Sequence, residues 1–87
     1  MHAVVVNVTI NDRDGALANL NEQIVPQVSG APGFVAGYWI HLDDTHGTSD
    51  VVFETKEQVL AGVPTEGADA PGVTFTRVVV GEVLASA

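Results

Sequence analysis

The sequence predicts an α+β domain of the ferredoxin-like type, with the order β-α-β-β-α-β and a four-stranded antiparallel sheet that carries both helices on one face. Valine-rich runs of alternating residues begin and end the chain, and a stripe of apolar residues with helical spacing follows the first run. A hairpin pattern and a helix-capping motif lie between them. Residues 1–87 suffice for one domain.

The first quarter of the chain predicts a strand and then a long helix. The strand runs from about His2 to Ile10, and its alternate residues divide into two faces. One face holds Val4, Val6, Val8 and Ile10, and the other holds Ala3, Val5, Asn7 and Thr9. The helix runs from about Arg13 to Val28 on an apolar stripe of Leu17, Leu20, Ile24 and Val28. Pro26 predicts a kink or an early end, because proline lacks an N–H and clashes with the preceding turn.

The remaining chain predicts a hairpin, a short helix and a last strand. The hairpin strands run from Phe34 to about Leu42 and from about Ser49 to Thr55, around a polar turn that contains glycine. Thr55 and Gln58 fit a capping box that opens the second helix. Pro64 ends that helix, an irregular loop follows, and the last strand runs from Val73 to about Leu84.

Both faces of the predicted sheet are apolar, whereas helices would cover only one of them. In the second strand one face holds Phe34, Ala36, Tyr38, Ile40 and Leu42, and the other holds Val35, Gly37, Trp39 and His41. The alternation predicts that Tyr38 packs under a helix. It also predicts that the sheet face without helices is buried against a second copy of the chain. A monomer with an exposed apolar patch is the alternative, although large patches are uncommon on soluble monomers.

Charge and composition exclude several classes of function. The formal net charge is −8, and the only lysine and arginine residues are Arg13, Lys56 and Arg77. Cations so few and so scattered argue against nucleic acid and anionic membranes as partners. The absence of cysteine excludes thiol catalysis. No targeting segment or membrane-spanning stretch is visible, so a cytoplasmic location is the default expectation.

Four segments resemble a known family. They are Val25–Val28 in the first helix, Pro32–Trp39 entering the second strand, Val51–Glu57 entering the second helix, and Val80–Val83 near the end. In these the chain resembles the small antibiotic-biosynthesis-monooxygenase-like (ABM) domains of the dimeric α/β-barrel superfamily. The resemblance implies a homodimer that oxidises a hydrophobic aromatic or polyketide-like molecule without a cofactor. The superfamily also contains haem-degrading enzymes and uncharacterised members, and a non-catalytic dimer that binds a small ligand or serves in stress is the alternative.

The resemblance implies a catalytic group of Asn7, Trp39 and His41. Asn7 matches the early-strand asparagine of the family, which together with a tryptophan holds the substrate anion or oxygen-derived atoms. His41 shares a face with Trp39, and an imidazole is a suitable general base for the proton of a phenol. Haem-degrading relatives carry their tryptophan and histidine on later elements than the second strand. The alternatives are a structural amide for Asn7, interface packing for Trp39 and a hydrogen-bonded histidine at the hairpin end for His41.

Three further residues are predicted to line the ligand site: Val5, Thr9 and Arg77. Arg77 would bind an anionic group of the ligand, or else pair with Glu54 or Glu82 at the rim. A second cluster, His41, Asp43, Asp44 and His46, has metal-ligand side chains. These residues straddle a hairpin turn, where Asp and Gly are expected, so the sequence predicts a solvated turn there and no metal site.

Overall fold

Five strands and two helices form the protein, and the computed structural model describes all residues from Met1 to Ala87. The elements are β1 (His2–Ile10), α1 (Arg13–Asn19), a π-helical segment (Leu20–Ile24), α2 (Val25–Ser29), β2 (Phe34–Asp43), β3 (His46–Phe53), α3 (Lys56–Ala61), β4 (Asp69–Ala70) and β5 (Val73–Glu82). The run from α1 through the π-helical segment to α2 is continuous and is called the long helix below. The second helix is α3.

The antiparallel sheet has the strand order β2-β3-β1-β5-β4, and this order is compatible with a ferredoxin-like arrangement. The sheet has five strands rather than the predicted four. The additional strand, β4, lies in the stretch that the sequence predicts as an irregular loop. β4 consists of two residues that pair with the start of β5. The turn between them contains Gly72, whose φ of +80° suits glycine. A strand of two residues is too short to leave a periodic signal in the sequence.

The long helix continues past Pro26 to Ser29, so the predicted early end is wrong. In a regular α-helix the proline ring clashes with the carbonyl group four residues earlier. Here Pro26 stands in the first turn of α2, directly after the π-helical segment, where hydrogen bonds join residues five apart and the regular α-helical pattern is already interrupted. The predicted apolar stripe therefore extends unbroken to Val28.

The core is small and lies near α2 and α3, at one end of the sheet. Its buried apolar side chains are Val4, Val6, Val51, Phe53 and Val59. Phe34 meets Phe53 edge to face, with ring centroids 6.1 Å apart. The predicted capping box holds α3 in place: the Gln58 N–H donates to Thr55 Oγ1 at 3.2 Å, and the Thr55 N–H donates to Gln58 Oε1 at 3.1 Å.

One β-bulge in β2 and one in β5 change which of their side chains share a face. On β2, Val35 is an extra residue between the pairs Phe34–Phe53 and Ala36–Val52. On β5, Thr76 is an extra residue between the pairs that Phe75 and Arg77 make with β1. Because side chains alternate along a strand, one extra residue moves every later side chain to the opposite face.

The bulge at Val35 overturns the predicted orientation of β2. Phe34 now shares the helix-covered face with Trp39, and both pack against the core. The prediction that Tyr38 packs under a helix is wrong, because its side chain is on the opposite, helix-free face and is 63% exposed. The alternation predicted for β1 is confirmed, with Val4 and Val6 buried beneath the helices.

Candidate functional site

A cavity of about 680 Å³ lies between the long helix and the sheet. Its helical wall is the predicted apolar stripe, Leu17, Leu20, Ile24 and Val28. Its sheet wall includes Val6, Val8, Ile10, Phe53 and Phe75. The long helix and the sheet thus face each other with their apolar sides, as the sequence predicts, but without closing the space between them.

The cavity is open because the two ends of the long helix sit differently on the sheet. α2 contacts β2, and α3 contacts β1 and β3, whereas α1 makes few contacts with any strand. Leu17 in α1 consequently remains 43% exposed, although it belongs to the stripe that faces the sheet. A typical core would bury this side chain completely. The unfilled space is therefore greatest under α1.

Two glycines on the helix-covered face have different roles near the cavity. Gly47 lines it, and a Cβ atom there would lie 3.2 Å from the Ile40 carbonyl oxygen and 3.3 Å from Cγ2 of Val8. A Cβ atom at Gly37 would lie 2.9 Å from the indole ring of Trp39, so the missing side chain makes room for that ring. At Gly47 the sheet wall therefore lacks a side chain that would project towards the long helix. Sequence reasoning missed both glycines, although an apolar strand with glycine two residues before tryptophan is a usable signal.

Trp39 stands midway along β2, the edge strand of the sheet wall. It pairs with Ser49 on β3, and Ser49 pairs with Val6 on β1, so these three side chains form one row under the long helix. Ser49 has no side-chain hydrogen-bond partner. The indole is half-buried and is the only tryptophan of the chain.

His41 and Arg13 mark the polar end of the cavity. His41 pairs with Gly47, and Gly47 pairs with Val8, near the point where β1 ends. Arg13 begins α1 shortly after β1, and both side chains are exposed at the edge of the cavity. Neither forms an ion pair. Trp39 and His41 therefore share one cavity, as expected of two residues on one face of a strand.

Asn7 lies on the other side of the sheet from this cavity. It belongs to the helix-free face, where the Thr48 hydroxyl donates a hydrogen bond of 3.0 Å to Asn7 Oδ1. The alternation predicts Asn7, Trp39 and His41 together on the helix-free side; Asn7 is there, but Trp39 and His41 lie on the helix-covered face, so the predicted grouping of the three is wrong. Its physical cause is the bulge at Val35, which turns Trp39 towards the helices while β1 keeps its regular alternation.

The other predicted ligand-binding residues are also on the helix-free face. Val5 and Thr9 accompany Asn7 on β1, and Arg77 pairs with Asn7 from β5. Arg77 is exposed and forms no ion pair, so the alternative pairing with Glu54 or Glu82 is not found. This face is nevertheless rich in exposed apolar side chains. The exposed fraction lies between 37% and 63% for each of these side chains: Val5, Val35, Tyr38, Ile40, Leu42 and Val79.

The residues of the β2–β3 turn form a local hydrogen-bonded cluster. Asp43 Oδ1 accepts from the Thr45 N–H at 2.9 Å and lies 2.9 Å from Nδ1 of His46. The Thr45 hydrogen bond, and then the hydrogen bond with His46, hold the pKa of the Asp43 carboxyl below its ordinary value. No three side chains of the His, Asp and Glu types converge in a geometry that could hold a metal ion. The cluster explains how the hairpin closes.

Comparisons with known proteins give no family model, no curated protein and no solved structure that matches this chain. None of the helices is both long enough and apolar enough to cross a membrane. The cavity and the chemistry of its walls are the features of the chain that bear on function.

Proposed function

We propose that this protein binds a hydrophobic small molecule in the cavity between its long helix and its sheet. The observation that carries the proposal is an apolar cavity of about 680 Å³ in a chain of 9.0 kDa. Pockets that enclose small organic ligands have volumes of about 300–1,000 Å³ and are lined mainly by apolar and aromatic side chains. A ligand would bury the exposed parts of Leu17 and Trp39.

Trp39 provides a direct test, because every change in tryptophan emission comes from the cavity wall. The experiment titrates the protein with anthrones, dihydroxyarenes and aliphatic compounds while indole emission and the melting temperature are recorded. A ligand of the folded state stabilises it by about 2.7 kcal/mol at a hundredfold excess over its Kd. The expected result is saturable quenching or a blue shift together with a higher melting temperature. Binding that leaves the emission unchanged, or no binding by any compound, would contradict the proposal.

A cofactor-independent monooxygenase of the ABM type is the second candidate function. It is supported by the shared position of Trp39 and His41 in an apolar cavity, and by the sequence resemblance described above. His41 would take the proton of a phenolic substrate, and the Trp39 N–H would hold the resulting anion. A substrate methylene and O₂ would then give a carbonyl and water, with the substrate supplying the electrons. Asn7 has no role in this version, because the sheet separates it from the cavity.

Oxygen consumption distinguishes the second candidate from simple binding. Wild-type protein is supplied with anthrones and dihydroxyarenes, and oxygen uptake is compared with His41→Ala, Trp39→Phe and the control His46→Ala. His46 is a suitable control because it lies in the β2–β3 turn, outside the cavity. The oxygenase proposal expects uptake that His41→Ala reduces and His46→Ala does not. Ligand binding without uptake by the wild type would leave a non-catalytic binding protein.

We further propose that the helix-free face pairs with the same face of a second copy. The support is the group of six partly exposed apolar side chains on one side of the sheet. Burial of apolar surface contributes about 25 cal/mol per Å², which is a large gain for a domain with so small a core. Asp50 and Arg77 carry opposite charges on this face and could form ion pairs between the two copies. In such a dimer each chain keeps its own cavity, on the outer side of the paired sheets.

A further inference from the structure

The walls of the cavity carry a charge pattern opposite to that of the whole chain. The chain has 11 acidic residues against three lysine and arginine residues. None of the acidic residues lines the cavity, whereas Arg13 does. Asp12 and Asp14 flank Arg13 in sequence, yet neither lines the cavity. The remaining polar side chains of the wall are neutral apart from His41, which can carry a positive charge.

The basic side chains and the most deeply buried apolar side chains lie at opposite ends of the cavity. Arg13 and His41 are near the end of β1 and the β2–β3 turn. The opposite end is formed by Phe53 and Val59, which are 7% and 1% exposed. Trp39 and Ser49 lie between the two ends. A molecule that fills this cavity therefore meets apolar side chains along its body and the guanidinium group of Arg13 at the end near the β2–β3 turn.

We propose that the ligand is a hydrophobic carboxylic acid whose carboxylate binds Arg13, beside His41, and whose apolar body lies under the long helix. This inference rests on the proposed binding function and specifies the class of ligand. An arginine without a protein partner matches a planar carboxylate, because the guanidinium fork can donate two parallel hydrogen bonds to it. The exposed position of Arg13 keeps its charge hydrated until the ligand arrives, so no charge is buried in the empty protein.

The test compares three twelve-carbon probes that differ only in their head groups: dodecanoate, dodecan-1-ol and dodecyltrimethylammonium, each below its micelle concentration. Trp39 emission reports binding. The expected result is that dodecanoate binds at least about tenfold more tightly than dodecan-1-ol. The alcohol has no carboxylate and therefore lacks the charge-assisted hydrogen bond with Arg13. Dodecyltrimethylammonium should bind most weakly, although the net charge of the chain favours it.

Two matched substitutions locate the head group. Arg13→Gln should lower dodecanoate affinity about tenfold and leave dodecan-1-ol affinity within about twofold, because only the charged contact is lost. Arg77→Gln makes the same change on the helix-free face and should alter neither affinity. Arg13→Lys keeps the charge and should retain part of the preference for dodecanoate. Thermal melting of each variant without probe shows whether it is folded.

The outcomes separate this inference from the proposed function. Equal affinity for dodecanoate and dodecan-1-ol, unchanged by Arg13→Gln, would overturn the carboxylate inference while the hydrophobic binding site stands. A preference for dodecanoate that Arg77→Gln removes and Arg13→Gln keeps would also overturn it. If these probes and the compounds of the wider panel all leave Trp39 emission unchanged, the binding function itself fails.

Discussion

The indole of Trp39 folds back over Gly37, so that a Cβ atom at position 37 would lie 2.9 Å from Cη2 of the ring. The edge of the Phe34 ring closes the same space from the other side, at 3.4 Å from that Cβ position. The absence of a side chain at Gly37 therefore determines the position of the Trp39 ring, which forms part of the cavity wall.

Gly37→Ala should displace the indole, because a carbon–carbon approach of this length cannot persist. Overpacking of this kind costs about 1–3 kcal/mol. The expected result is a shift in Trp39 emission and weaker ligand binding, measured by fluorescence, together with a lower melting temperature. Gly81→Ala is the control, because a Cβ atom there meets nothing within 4 Å. Equal emission spectra for both variants would show that the indole does not depend on Gly37.

The faces of the strands could be predicted only where pairing is regular. β1 alternates without an extra residue of its own, and its predicted faces are confirmed. β2 and β5 contain Val35 and Thr76 as bulge residues, and neither residue type marks a bulge in a sequence. A bulge reflects how two strands fit together, so the alternation within one strand cannot reveal it. This is why Trp39 and Asn7 were predicted to lie together and are found on opposite faces.

The cavity could not be predicted for a related reason. Helical spacing correctly identifies Leu17, Leu20, Ile24 and Val28 as the side of the long helix that faces the sheet. Whether that side touches the sheet depends on the summed volumes of all facing side chains, and periodicity does not report volume. Gly47 contributes no side chain to the opposite wall, whereas the rings of Trp39 and Phe34 fill the space beside Gly37.

Filling the cavity should stabilise the protein and abolish binding. Ser49→Leu adds an apolar side chain between Trp39 and Val6 and sacrifices no hydrogen bond. The expected gain in the free energy of unfolding is about 1 kcal/mol, since each buried methylene contributes about 0.8 kcal/mol. Chemical denaturation measures the gain, and Trp39 emission measures the loss of binding for every hydrophobic probe. Ala18→Leu, an exposed site outside the cavity, is the control. Full affinity in Ser49→Leu would place the ligand elsewhere.

A charge on the helix-free face should separate the proposed dimer. Val79→Lys would place two ammonium groups in the buried interface, where the cross-strand partner of residue 79 is the apolar Val5, and each buried unpaired charge costs several kcal/mol. Analytical ultracentrifugation should find two 9.0 kDa chains per particle in the wild type and one in the variant. Leu60→Lys is the control, because Leu60 is 53% exposed on α3 and lies off this face. A wild type that remains a single chain at tens of micromolar would refute the pairing.

The β2–β3 turn should lose stability in acid through Asp43. The hydrogen bonds from Thr45 and His46 favour the ionised carboxylate, so its pKa is lower in the folded protein than in the unfolded chain. A group of this kind stabilises the fold above its unfolded pKa, near 3.9, and the contribution disappears as the pH falls through the lower, folded pKa. Asp43→Asn keeps an acceptor for the Thr45 N–H but has no charge. Wild type should therefore be more stable than Asp43→Asn at neutral pH, and the difference should vanish in strong acid.

Carboxyl ¹³C NMR should show Asp43 titrating at a lower pH than in a short peptide with the turn sequence. His46→Ala should raise the Asp43 pKa only part of the way towards the peptide value, because the Thr45 hydrogen bond remains. If Asp43 of the wild type titrated at the peptide value, the stabilising role of these hydrogen bonds would be contradicted.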